Sequence, residues 1–80
     1  MATPIVLPEL GGGPVLLSLW FADVGDLVYE GDRLVEVLLG GATFDVAAPA
    51  TGRLAAKFAH PDDRLAAGQT LGVVEGQEPV

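Results

Sequence analysis

Val24-Gly25-Asp26-Leu27-Val28-Tyr29-Glu30-Gly31-Asp32-Arg33-Leu34 sets two Gly-Asp pairs on either side of a short apolar segment. Glycine supplies the positive φ that a tight reversal needs, and aspartate accepts hydrogen bonds from nearby backbone N–H groups, so each pair reads as a turn. Turn chemistry of this kind recurs outward in both directions, at Gly11-Gly12-Gly13-Pro14, Gly40-Gly41, Pro49-Ala50-Thr51-Gly52, His60-Pro61-Asp62-Asp63 and Ala67-Gly68. Between the turns lie runs rich in Val, Leu and aromatics at 5–7, 15–21, 34–39, 43–47, 53–58 and 70–75. Short β-formers cut by turns at this spacing predict an all-β domain, either a sandwich or a barrel. The alanines at 47, 48, 50, 55 and 56 would suit a helix, but Pro49 and Gly52 interrupt them. No window sustains a 3.6-residue period.

One hairpin stands out. Val35-Glu36-Val37-Leu38-Leu39 and Ala42-Thr43-Phe44-Asp45-Val46 flank Gly40-Gly41, which predicts a type I′ turn with positive φ at both glycines. Glu36 and Asp45 are expected to point outward, with Val35, Val37, Phe44 and Val46 on the opposite side. The chain also resembles itself. A shift of 37 residues pairs Leu17 with Leu54, Phe21 with Phe58, Ala22 with Ala59, Asp26 with Asp63, Gly31 with Gly68, Leu34 with Leu71 and Val37 with Val74. These identities are expected at core and turn positions, and they predict two similar halves related by a pseudo-twofold. The chain is expected to be one domain over 1–80, with 76–80 a tail or the start of a linker.

Composition narrows the function. The chain has 80 residues, half of them hydrophobic, which suffices for one small core. Without cysteine there is no disulfide, thiolate zinc site or Cys nucleophile, and with His60 alone there is no multi-His metal site. Eleven acidic residues against four basic ones give a net charge of −7, which disfavours nucleic acid and anionic membrane surfaces as partners. The first residues carry no basic charge of the signal-peptide kind, and the longest apolar stretch, at 15–22, is too short to span a bilayer. The expectation is a soluble cytoplasmic protein. Asp26, Asp32, Asp62 and Asp63 are expected to serve turns rather than a calcium site, and Trp20 and Phe21 to serve the core. Gly11-Gly12-Gly13 lacks the Lys-Ser/Thr pair of a phosphate cradle. No catalytic machinery is found.

The residues quoted above resemble the lipoyl/biotinyl carrier domains, those of 2-oxoacid dehydrogenase acyltransferases above all. Pro8-Glu9-Leu10-Gly11 is similar to the family's opening Pro-Asp-Leu-Gly, and 24–34 to its Val-Gly-Asp-x-Val-x-x-Gly-Asp-x-Leu. Pro49, Gly52 and Gly68-Gln69-x-Leu71 continue the match, which runs from about Ile5 to Glu75. The resemblance implies a flattened sandwich of two four-stranded antiparallel sheets, a barrel-sandwich hybrid with internal pseudo-twofold symmetry. It also implies one carrier lysine at a hairpin tip.

There the chain departs from the pattern. Where the family has Asp-Lys-Ala or Met-Lys-Met, this sequence has Gly40-Gly41-Ala42, so Gly41 takes the lysine's place. Glycine has no amine, so no lipoyl or biotinyl group can be attached there and no cofactor is expected. Lys57, the one lysine, falls in a predicted strand and is expected to snorkel rather than to carry. The leading expectation is a lipoyl-like domain without its carrier lysine. It would be a non-catalytic interaction or structural module whose partner is a protein, with a 2-oxoacid dehydrogenase-type subunit as the candidate. The alternative is a carrier-type domain or fragment of a lipoyl-dependent acyltransferase or biotin-dependent enzyme, with activity supplied elsewhere.

Overall fold

Four turns of one design steer the chain, as seen in a computed structural model that describes residues 1–76. In each, the fourth residue's N–H donates to the first residue's carbonyl: Asp26 to Asp23, Asp32 to Tyr29, Asp63 to His60 and Gln69 to Ala66, at 2.9–3.0 Å. The fourth side chain then reaches back. Asp26, Asp32 and Asp63 accept the N–H of Asp23, Tyr29 and His60 through Oδ2, and Gln69 accepts that of Ala66 through Oε1. The third residue has positive φ: Gly25 (+99°), Gly31 (+93°), Asp62 (+73°) and Gly68 (+83°). Positive φ at the third position only is the type II turn, and it explains why glycine precedes aspartate. Asp62 differs from its expected role, since it occupies the glycine's seat and Asp63 does the capping.

Gly31→Val and Gly68→Val should each therefore lower stability by roughly 1–3 kcal/mol in chemical denaturation, because a β-branched residue is strained at positive φ. Asp62→Gly should leave it within about 0.5 kcal/mol, since relief of the left-handed conformation and added unfolded-state entropy oppose each other. Valine variants that unfold with the wild type would refute this account of the turns.

Between the turns, the described residues form eight strands: β1 (Ala2–Val6), β2 (Val15–Trp20), β3 (Leu27–Val28), β4 (Arg33–Leu39), β5 (Ala42–Ala47), β6 (Gly52–Lys57), β7 (Arg64–Leu65) and β8 (Thr70–Gly76). They form two antiparallel four-stranded sheets, ordered β1-β8-β6-β3 and β5-β4-β2-β7, packed as a flattened sandwich with no closed barrel. The linear reading of runs contains six of these strands. β3 and β7 are two residues each, too short to carry an alternating pattern of their own.

The pseudo-twofold exchanges β1 with β5, β8 with β4, β6 with β2 and β3 with β7. It extends to the irregularities: the register shift at Leu17/Leu19 in β2 recurs at Leu54/Ala56 in β6. The core mates Leu17 and Leu54, Leu34 and Leu71, and Val37 and Val74 are all fully buried. Each such leucine contributes roughly 1.5–3 kcal/mol by leaving water.

Phe21 and Phe58, expected in the core, are instead 40% and 58% exposed. Each follows the last residue of its strand, and its N–H bonds across to Leu34 or Leu71 (2.8 Å) as the chain leaves the sheet. Trp20 does pack against the core, with its indole N–H donating to the Ala59 carbonyl at 3.0 Å. Gly76, expected to open the tail, is the last residue of β8 and pairs with Gly52. The rest of that segment, 77–80, lies outside the described residues.

The symmetry fails at two informative positions. Val15 and Val35 have Gly52 and Gly72 as their mates. The room left at Gly72 is taken by Trp20, whose Cη2 stands 3.1 Å from where a Cβ would be.

Candidate functional site

The β4–β5 hairpin projects the residues singled out from the sequence. Glu36 faces Asp45, Val37 faces Phe44, Leu38 faces Thr43 and Leu39 faces Ala42, so Gly40 and Gly41 alone make the reversal. Glu36 and Asp45 are less buried than Val35, Val37 and Val46, as expected, but Phe44 is 37% exposed. β5 is the outer strand of its sheet, so that ring has a neighbour on one side only.

The turn differs from expectation. φ is positive at Gly40 (+61°) and not at Gly41, the pattern of a type II′ turn rather than type I′. Only Gly40 therefore needs glycine's conformational freedom. A Cβ added at Gly41 would meet nothing within 4 Å. The first loop lies beside the hairpin, since a Cβ at Gly13 would touch Leu39 Cδ1 at 3.4 Å. Gly11 is held by its N–H bond to Glu9 Oε1 (3.1 Å). From Val37 to Phe44 no residue is charged, so the tip is a neutral end on an acidic chain.

Lys57 lies elsewhere, at the end of β6 in the other sheet. Its side chain is 19% exposed, with Nζ 5.1 Å above the Trp20 ring and 3.7 Å from Asp23 Oδ1. The stem lies along apolar surface and the ammonium meets an acid at the rim, which is snorkelling as expected. Among the described residues, no three His, Asp or Glu side chains converge on a metal position.

One feature of the surface escapes the sequence. Phe21, Asp26, Leu27, Asp32 and Arg33 line an open cavity of about 440 Å³. The Arg33 guanidinium stacks over Phe21 at 4.5 Å and pairs with Asp45 at 3.6 Å. Expecting Phe21 inside and the aspartates in separate turns hides this grouping, and no local pattern signals it.

Comparison with known proteins agrees with the geometry. The solution structure of the lipoyl domain of the 2-oxoglutarate dehydrogenase complex from Azotobacter vinelandii superposes with a TM-score of 0.74, covering 92% of this chain and 98% of that one at 22% identity. The fold is that of a lipoyl domain. In sequence, the chain is 30% identical over 78 residues to the lipoamide acyltransferase component of the branched-chain alpha-keto acid dehydrogenase complex of Pseudomonas putida. It is 34% identical over 74 residues to the corresponding component of Pseudomonas aeruginosa. These alignments take in 94% and 89% of this chain but 18% and 17% of the relatives, so the chain spans less than a fifth of their length. No protein-family model matches.

Proposed function

We propose that this chain is a lipoyl-type domain lacking its carrier lysine, and that it acts as a non-catalytic interaction or structural module of a 2-oxoacid dehydrogenase-type assembly. A complete lipoyl scaffold whose hairpin tip holds Gly41, with no amine, carries this reading. The tip does not fit a covalently held lipoyl or biotinyl group, because neither Gly40, Gly41 nor Ala42 offers a nucleophile to acylate. Lys57 lies on a strand against Trp20, where a ligase would have to unpack the sheet to enclose it. A partner of this module would be a subunit of such an assembly.

The length of the acyltransferase relatives supports a second reading, in which the domain is one part of a larger acyltransferase whose activity lies elsewhere. Both readings share one expected result. Expressed together with lipoate and biotin ligases, the protein keeps its unmodified polypeptide mass by intact mass spectrometry. An added lipoyl or biotinyl mass mapped to Lys57 would overturn the proposal.

A further inference from the structure

The cavity at Phe21 occurs in a molecule that builds the same backbone niche twice, so its mate serves as an internal control. On the pseudo-twofold, Phe21 corresponds to Phe58, Asp26 to Asp63, Leu27 to Arg64 and Asp32 to Gln69. Asp32 and Gln69 make the same turn-closing bond, at 3.0 and 2.9 Å. The fold therefore accepts a neutral side chain there, and the second carboxylate is not needed for the turn. It likewise accepts Arg64 where the cavity has Leu27, which is 43% exposed. The cavity thus has one more acid and one more apolar side chain than its mate, neither required by the turns, and it carries its one base at Arg33, where the mate has Thr70, rather than at the Leu27 position.

Asp26 and Asp32 each commit Oδ2 to their own turn, and neither is paired with a cation among the described residues. Arg33 lines the same cavity but makes its ion pair with Asp45, at 3.6 Å, rather than with either of them. The cavity therefore presents two carboxylates beside the exposed Phe21 ring and Leu27. An aliphatic stem ending in a cation complements this: the stem covers Leu27 and the ring, and the head meets the acids. With a net charge of −7 on the chain, the long-range field draws a basic partner to this surface.

We propose that the notch formed by Phe21, Asp26, Leu27 and Asp32 is a docking site for a protein partner, gripped through a lysine or arginine side chain. Arg33 and Leu39 are the two ends of β4, roughly 20 Å apart at about 3.3 Å per residue. A partner held in the notch leaves the hairpin tip exposed. The inference does not depend on the fate of the carrier lysine.

The test is an NMR titration of the 15N-labelled chain with acetyl-Leu-Lys-Leu-amide, and with the Gln and Glu versions of that peptide. The lysine peptide should shift the amides of Phe21, Asp26, Leu27 and Asp32 saturably at millimolar concentration. Those of Phe58, Asp63 and Arg64 should remain in place, and the Glu peptide should give no shift. Asp32→Gln and Leu27→Arg, each of which installs the side chain of the mate niche, should keep the remaining spectrum intact. Asp32→Gln should weaken binding by up to about fivefold, as expected for loss of an exposed ion pair, and Leu27→Arg should weaken it by setting a like charge beside the peptide's cation. Absence of saturable shifts, equal shifts in both niches, or unchanged affinity in both folded variants would overturn the proposal.

Discussion

Gly52→Ala and Gly72→Ala are each expected to destabilise the domain by roughly 3 kcal/mol or more, lowering the melting temperature by on the order of 15 °C. A methyl group on Gly52 would overlap the Glu75 carbonyl of the neighbouring β8, and one on Gly72 would lie 2.5 Å from the Ala56 carbonyl oxygen. Both obstacles are backbone atoms in the middle of a paired sheet, so neither can rotate away as a side chain would. β6 and β8 must part, or the residue must abandon its register. Gly72→Ala would also press on Trp20, so a change in indole fluorescence should accompany its loss of stability. Gly12→Ala is the control: a Cβ there meets nothing within 4 Å and φ is not positive, so it should unfold with the wild type. If Gly52→Ala unfolded within about 0.5 kcal/mol of the wild type, the β6–β8 register would be wrong.

The second large effect is a gain of function. Gly41→Lys should be lipoylated by a lipoate ligase, seen as added mass on the peptide containing residue 41, whereas the wild type stays unmodified. Lysine at Gly41 is not strained, because the positive φ of the turn belongs to Gly40 and the space around Gly41 is open. Its stability should lie within about 0.5 kcal/mol of the wild type, as for an exposed substitution away from special features. Adding Gly40→Asp rebuilds Asp-Lys-Ala but puts a side chain at the first central position of the type II′ turn, φ +61°, which calls for glycine, at a cost of roughly 1–3 kcal/mol. Comparing the single and double variants separates the lysine's chemistry from ligase recognition of its neighbour. Folded variants that resist lipoate and biotin ligases alike would detach this tip from the carrier site and leave a purely structural relative.

Sequence alone determined what depends on nearest neighbours. Gly25-Asp26 and Gly31-Asp32 specify turns because positive φ and a carboxylate returning to an N–H three residues back are both local. The shift of 37 residues matched Leu17 to Leu54 and Leu34 to Leu71 as core mates, because a buried leucine on a strand repeats with the strand. The two-residue hairpin was legible for the same reason, although Gly40-Gly41 is compatible with both primed turns, which join the same Leu39–Ala42 pair. Only the tertiary structure decided the exposure of Phe21 and Phe58, since the same identity would hold if both were buried. Only it placed Phe21, Asp26, Leu27 and Asp32 around one notch, and only it made Gly52 and Gly72 indispensable at positions whose mates are valines. These outcomes depend on how closely β6 approaches β8 and on where the chain leaves each sheet. Such distances are set by contacts between residues far apart in the chain, which no local pattern encodes.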